Sequence, residues 1–265
     1  MAASKLGVGA GHVALVTGGN QGIGKAIAEG LAAAGATVFV AGRSELRNDA
    51  VAAELVAVGG QVHGLVLDVC SPESISTALA EAERVAGKPV DWLVNNAGTA
   101  ASAPLARTDD QAFLSMMEIN FHGARRLAAG LLPGMLERGY GRVVNIASSA
   151  GLRGYAYVAA YCASKHALLG YTRAAAVECG PKGVAFSAVC PHYVDTPMLE
   201  VSVKAVMKKT GRTRDEARTF FASENPGGRL VTPQEVAASV VRQCMGEGMG
   251  IWELDGSDAP QEVPS

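Results

Sequence analysis

Apolar positions along the chain alternate between two rhythms: short runs of Val, Ile and Leu, and longer stretches at helical spacing. The short runs at 13–16, 37–41, 62–67, 91–95, 142–146 and 184–189 predict strands. They show no strict polar alternation, as expected of strands covered on both faces. Segments near 23–34, 47–58, 72–86, 109–132 and 158–179 predict helices between them. Strands alternating with helices of this length predict right-handed crossovers and a parallel sheet. Ser71-Pro72 supplies an N-cap and a first-turn proline, and Thr232-Pro233-Gln234-Glu235 has the form of a capping box. The rhythm breaks once, over 197–228, between the sixth strand and the helix starting near Pro233. Thr213-Arg214-Asp215-Glu216 is a second capping-box pattern there, which predicts a pair of short helices. Because the segment leaves a strand's carboxyl end, where open α/β sheets bind ligands, it is read as a substrate lid. The run at 250–254, followed by Asp255-Gly256, predicts a final edge strand.

Composition narrows the class. The chain has 265 residues, 49 % of them hydrophobic and 18 % charged, with a formal net charge of -2. Its mean hydropathy is +0.18. Such a chain has the means to bury a core and lacks the polycationic face that nucleic-acid binding requires. No linker, repeat or low-complexity block divides it, so residues 1–265 are read as one domain. The cysteines at 70, 162, 179, 190 and 244 are scattered, with no C-x-x-C pair. That predicts neither a metal site nor a disulfide scaffold, and fits a reducing cytoplasm. No charge-free apolar run approaches the roughly 18 residues of a membrane span. The stretch before Gly11 has one Lys and no sustained apolar run, so no secretory signal is expected.

The first strand runs into Thr17-Gly18-Gly19-Asn20-Gln21-Gly22-Ile23-Gly24, followed by an Ala-rich helix. Glycines here permit a tight turn, close backbone approach to a pyrophosphate and close helix–strand packing. The helix start offers free N–H groups and the positive end of its dipole. This predicts a dinucleotide-binding loop, with spacing G-x-x-x-G-x-G and no Lys-Ser/Thr ending of the nucleotide-hydrolase type. Of the six tyrosines, only Tyr161 has a lysine four residues on, Lys165, which places phenol and ammonium one helical turn apart. A phenol with its ordinary pKa of about 10 is a poor acid–base group at neutral pH, and a neighbouring cation lowers that value.

The glycine spacing resembles that of the short-chain dehydrogenase/reductase family, and so does the order of motifs over nearly the whole chain. Asn95-Asn96-Ala97-Gly98 follows the fourth strand, Ser148 the fifth, and Tyr161-Cys162-Ala163-Ser164-Lys165 lies on the next helix. The resemblance implies a single-domain, doubly wound Rossmann-type α/β fold of about seven strands, and a catalytic tetrad of Asn120, Ser148, Tyr161 and Lys165. Tyr161 would be the proton donor, Lys165 would lower its pKa and bind the nicotinamide ribose, and Ser148 would orient the carbonyl. Asn120 would anchor a relay water. Ser149 is a rival to Ser148, which fits the family's S-x-x-G pattern better. The resemblance also implies cofactor contacts at Gly18, Asn20, Gln21, Gly22, Ile23, Gly24, Arg43, Asp68, Val69, Asn96, Tyr161, Lys165, Val194 and Thr196. Asp68 has a simpler reading as a strand-end cap. One position departs from the pattern: Pro191-His192 stands where relatives usually carry Pro-Gly, leaving His192 to line the site's mouth or lean into solvent.

These residues imply hydride exchange between a nicotinamide cofactor and a ketone or secondary alcohol. The second strand ends in Gly42-Arg43-Ser44, with glycine where NAD-type relatives place Asp and a guanidinium beside it. That favours NADP(H) over NAD(H). Glu45, able to reach a ribose, and Gln21, where NADP-type relatives carry a basic residue, argue the other way. Residues 135–148, 161–178 and 191–198 are similar to bacterial 3-oxoacyl and polyketide ketoreductases, which favours a 3-oxoacyl thioester or similar ketone. The alternatives are a dehydrogenase of a small or alicyclic alcohol and, in a different class, a catalytically silent nucleotide-sensing protein. Epimerase or dehydratase relatives are usually longer, with a substrate domain that nothing here supplies. Resemblance also implies a homotetramer built from the helices near 109–132 and 158–179 and the C-terminal strand.

Overall fold

In the computed structural model, residues 9–264 are described. Most of the stretch read for a secretory signal, residues 1–8, lies outside them. Eight strands form one sheet in the order β3-β2-β1-β4-β5-β6-β7-β8. They are β1 (Val13–Thr17), β2 (Thr37–Gly42), β3 (Gln61–Val66), β4 (Trp92–Asn95), β5 (Gly141–Ile146), β6 (Val184–Pro191), β7 (Ile251–Leu254) and β8 (Gln261–Val263). Pairings are parallel up to β7, and only β8 runs antiparallel. The helices are α1 (Gly22–Ala33), α2 (Glu45–Ala57), α3 (Pro72–Ala86), α4 (Asp110–Met117), α5 (Gly123–Arg138), α6 (Ala159–Cys179), α7 (Pro197–Thr210), α8 (Arg214–Ser223) and α9 (Pro233–Cys244).

The apolar runs are continuous because both faces of the sheet are covered. Along β1, Ala14 and Val16 pack with Ile27 and Leu31 of α1 and Val236 and Val240 of α9. The alternate residues Val13 and Leu15 pack on the other face with Leu127, Leu131 and Met135 of α5. One strand thus serves two cores through its period of two. The predicted caps form: Ser71 accepts from Ser74 N at 3.1 Å, and Thr213–Glu216 and Thr232–Glu235 close capping boxes at α8 and α9. Residues 197–228 hold the expected pair of helices, α7 and α8, with a small apolar cluster of Leu199, Val203, Ala217 and Phe221 between them.

Three boundaries differ from the sequence reading. The 250–254 run is not the sheet edge, because the short, largely polar β8 pairs on it; three such residues give no hydrophobic period. The helix read at 109–132 is two helices joined by a π-turn over Glu118–His122, and its second part passes Pro133 to end at Gly139, φ +65°. Proline removes one helical hydrogen bond, but buried Leu131 and Met135 hold the turns on either side against the sheet.

The chain winds outward through β1, β2 and β3, then crosses back to place β4 on the other side of β1. The carboxyl ends of β1 and β4 therefore flank a topological switch point, where open sheets of this kind form their ligand crevice.

Candidate active site

The glycine loop on one side of the crevice exists because no side chain would fit. A Cβ on Gly24 would lie 2.2 Å from the Gly18 carbonyl oxygen, and Gly18 itself has φ +62°. The loop is tied down from two directions. Asn96 Nδ2 donates to the carbonyls of Thr17 (2.9 Å) and Gly18 (3.1 Å), while Thr17 Oγ1 accepts from the backbone N–H groups of Asn96 (3.0 Å) and Ala97 (2.9 Å). From the other side, Asn20 Nδ2 donates to Asn48 Oδ1 at 2.7 Å. Asn48, fully buried in α2, passes its own amide hydrogens to the carbonyls of Gly42 and Leu65, each at 2.8 Å.

The Asn96 amide nitrogen thus anchors the loop from beneath. Asn48 was missed: an asparagine on an exposed-looking helix carries no local signal of a tertiary partner. The same clasp explains Gly42, since a Cβ there would stand 2.8 Å from Asn20 Nδ2 and 3.1 Å from Asn48 Oδ1. A carboxylate-bearing residue at the end of β2 would have to displace this Asn20–Asn48 pair.

The start of α1 is open. Gln21, its N-cap residue, makes no side-chain cap hydrogen bond, and the first turn holds no acidic residue. Its leading N–H groups and dipole are therefore free to meet an anion, as a pyrophosphate-binding turn requires. Gly22 faces Thr196 across the crevice: a Cβ on it would lie 3.5 Å from Thr196 Cγ2. Thr196 is the N-cap of α7, accepting from Leu199 N at 3.3 Å, and Val194 is buried in a bridge to Val231. Arg43 is exposed just past β2, and Glu45 is the first residue of α2. Asp68 Oδ1 accepts from Cys70 N at 2.9 Å, a strand-end cap that leaves its other oxygen without a hydrogen-bond partner among the described residues. Val69 packs so closely on Gly123 that a Cβ there would stand 2.8 Å from its own Cβ, which seats the π-turn.

The reactive groups gather beyond the ends of β4 and β5. Lys165, buried in α6, donates from Nζ to the Ile146 carbonyl at 2.7 Å. Burial disfavours its charged form and pulls its pKa down to about 8. Tyr161 lies one turn earlier, its ring centroid 5.8 Å from that nitrogen. Burial pushes its phenol up to about 12, and the Ser148 hydroxyl beside it acts in the opposite direction. Removal of the phenol from water is the largest effect on it. Tyr161 is protonated at neutral pH.

The two serines separate cleanly. Ser149 Oγ accepts from Tyr155 Oη at 3.0 Å, whereas Ser148 Oγ accepts from Ala150 N at 3.1 Å and acts on Tyr161. Asn120 sits buried in the π-turn, a local register change frequent at functional sites. Its Nδ2 donates to Thr99 O and to Ser164 Oγ, both at 3.0 Å, and Ser164 donates to the Tyr161 carbonyl at 2.8 Å. Asn120 and Lys165 meet at Gly98, where a Cβ would stand 3.1 Å from Asn120 Oδ1 and 3.8 Å from Lys165 Nζ. Ser164 was visible in the sequence as part of Tyr-x-x-Ser-Lys but carried no assigned role. Behind this group, Asn95 donates to Asn145 at 2.9 Å and Asn145 to Thr172 at 2.8 Å, which locks β4, β5 and α6 together.

A profile of the short chain dehydrogenase family matches residues 12–206. The 3-oxoacyl-(acyl-carrier-protein) reductase FabG of Vibrio cholerae is 38 % identical, with 87 % of this chain and 88 % of that protein covered. D-beta-hydroxybutyrate dehydrogenase of Cupriavidus necator is 35 % identical over 93 % of this chain and 97 % of its own. Among solved structures, an actinorhodin polyketide ketoreductase variant with NADPH superposes with TM-score 0.88 at 35 % identity, covering 95 % of this chain and 98 % of that one.

The depressed pKa of Lys165 has a consequence for stability. Above about pH 8 the folded chain releases this proton, while the unfolded chain keeps it up to its ordinary value of 10.5. Folding stability contributed by this group therefore rises with pH across that window and is flat below it, by about 1.4 kcal/mol per unit at most. Lys165→Met lacks the effect. Melting curves at pH 7 and pH 10 should show wild type gaining on the variant as pH rises; a difference independent of pH contradicts the assignment.

Proposed function

The chain belongs to the short-chain dehydrogenase family and is an oxidoreductase of ketones and secondary alcohols, and from that premise we propose that it reduces a 3-oxoacyl thioester or similar ketone with NADPH. The observation that carries the reading is the convergence of Ser148, Tyr161, Lys165 and Asn120 beside an uncapped, glycine-walled helix start. When bound, the nicotinamide supplies the hydride. The chain's own residues do the rest. Ser148 donates a hydrogen bond to the substrate oxygen and stabilises the negative charge that develops there. Tyr161, protonated at neutral pH, gives its proton to that oxygen. Lys165, with its hydrogens directed by Ile146 O, contacts the nicotinamide ribose and supplies the positive charge that stabilises the tyrosinate left behind. Asn120 holds the segment from which water re-protonates the lysine.

NADPH rather than NADH is supported by Gly42, walled in by Asn20 and Asn48, and by exposed Arg43 beside it. The crevice there offers a guanidinium fork to a 2′-phosphate and no carboxylate to repel it. The helices α7 and α8 act as the lid, since they spring from Thr196 directly across from Gly22. A homotetramer is supported by apolar residues left at the surface of α4 and α6, Leu114 at 63 % and Val177 at 79 % exposure. Among the described residues no helix is long and apolar enough to cross a membrane. The five cysteines are free thiols, four of them buried, which fits a reducing cytoplasm.

Tyr161→Phe keeps the ring and removes the proton. With acetoacetyl thioester as substrate, NADPH oxidation should fall at least about 10²-fold while NADPH fluorescence still reports binding. Good oxidation of small alcohols with no turnover of the thioester would reverse the substrate order. Arg43→Ala should raise the KM for NADPH at least about tenfold, equivalent to about 1.4 kcal/mol, and leave that for NADH unchanged. A wild type with higher kcat/KM for NADH overturns the cofactor choice. Static light scattering at micromolar concentration should give four times the chain mass, and a monomer refutes the assembly.

A further inference from the structure

His192 stands where relatives usually carry glycine, and its side chain turns away from solvent, with only 3 % exposed. Its Nε2 lies 2.6 Å from Glu253 Oε1, and its backbone N–H donates to Leu254 O at 2.9 Å. Glu253 is itself buried, on β7. The same carboxylate oxygen receives Arg153 Nη2. Arg153 lies two residues past the tight turn Ser149–Gly151 and donates its own N–H to Ser149 O at 3.0 Å.

This chain of contacts runs from the end of β6, through β7, to the connection between Ser148 and Tyr161. That connection is also tied by Tyr155 to Ser149, by Gly151 packed on the Lys165 carbonyl, and by Ala103 N to the Tyr157 carbonyl at 2.8 Å. The last holds a strained point, since Tyr157 adopts φ +68° without being glycine. A buried carboxylate with a single partner is free to turn about its side-chain bonds; one held by an imidazole from behind presents a fixed oxygen to the guanidinium in front. The half-exposed guanidinium of Arg153 has that oxygen as its hydrogen-bond partner.

We propose that His192 is a positioning residue for ketone reduction: through Glu253 it fixes Arg153, and with it the backbone that sets Ser148 against Tyr161. The proposal rests on the reading of Tyr161 as proton donor. The geometry makes His192 and Arg153 two ends of one device, so removing either end should cost the same thing.

The test compares His192→Gly, His192→Gln, Arg153→Ala and the double variant His192→Gly/Arg153→Ala, with kcat, the two KM values and Tm measured for each. His192→Gly and Arg153→Ala should each lower kcat about 10- to 100-fold, as misplaced reacting groups do, with the KM for NADPH unchanged. The double variant should be no slower than the worse single one, and His192→Gln, which keeps an N–H donor for Glu253, should recover most of kcat. A fall in Tm with kcat intact in His192→Gly, or losses that multiply in the double variant, overturns the proposal. If His192→Gly does not fold, Arg153→Ala and His192→Gln decide alone: full activity in the first, or no activity in a folded second, is fatal to it. Wild type and Tyr161→Phe in the same assay keep the two readings apart. Ketone reduction that Tyr161→Phe abolishes leaves the function standing whatever His192 does.

Discussion

Burying one ammonium group against one carbonyl organises this molecule. Lys165 Nζ on Ile146 O joins the long helix α6 to the end of β5 at the point where the two must be in register. A buried lysine is costly, as its lowered pKa records. It is held because α6 is anchored further along by Leu168 and Leu169, both at most 1 % exposed, and by the Asn145–Thr172 hydrogen bond. From that fixed point the spacing of a helix puts Tyr161 one turn away, and the close packing of Gly151 on the Lys165 carbonyl puts Ser148 beside it.

The opposite wall of the crevice is set by hydrogen bonds rather than by apolar packing. Asn96 holds the glycine loop to β4 from below, and the Asn20–Asn48 pair holds it to β2 and β3 from the side. Asn96 and Asn48 each place their amide hydrogens on two backbone carbonyls, those of Thr17 and Gly18 and those of Gly42 and Leu65. A rigid loop, an uncapped helix start and a cramped Gly42 follow together. The close packing of the loop has one physical basis, the crowding that a Cβ would meet at Gly24, from backbone, and at Gly42, from the Asn20–Asn48 pair.

Much of this was legible before the structure. Strand and helix order, the caps at Ser71, Thr213 and Thr232, the paired helices at 197–228 and the Tyr161–Lys165 spacing are local patterns, written in neighbouring residues. What was missed is of another kind. Asn48 and Ser164 are ordinary residues whose partners lie 28 and 44 positions away, Asn20 and Asn120. The π-turn at Glu118–His122 depends on Val69 pressing on Gly123, and β8 depends on an available edge at β7. His192 was visible as an oddity, but its place on Glu253 was not.

The sequence by itself singled out the residues proposed to carry the chemistry and determined in what order the strands and helices come, because period, capping and motif spacing are properties of short windows. Only the tertiary structure decided how acidic those residues are and what holds them. Burial, a property of everything packed around it, pushes the phenol of Tyr161 up to about 12. Protonation follows the solvent a group has lost, and no window of sequence states how much that is.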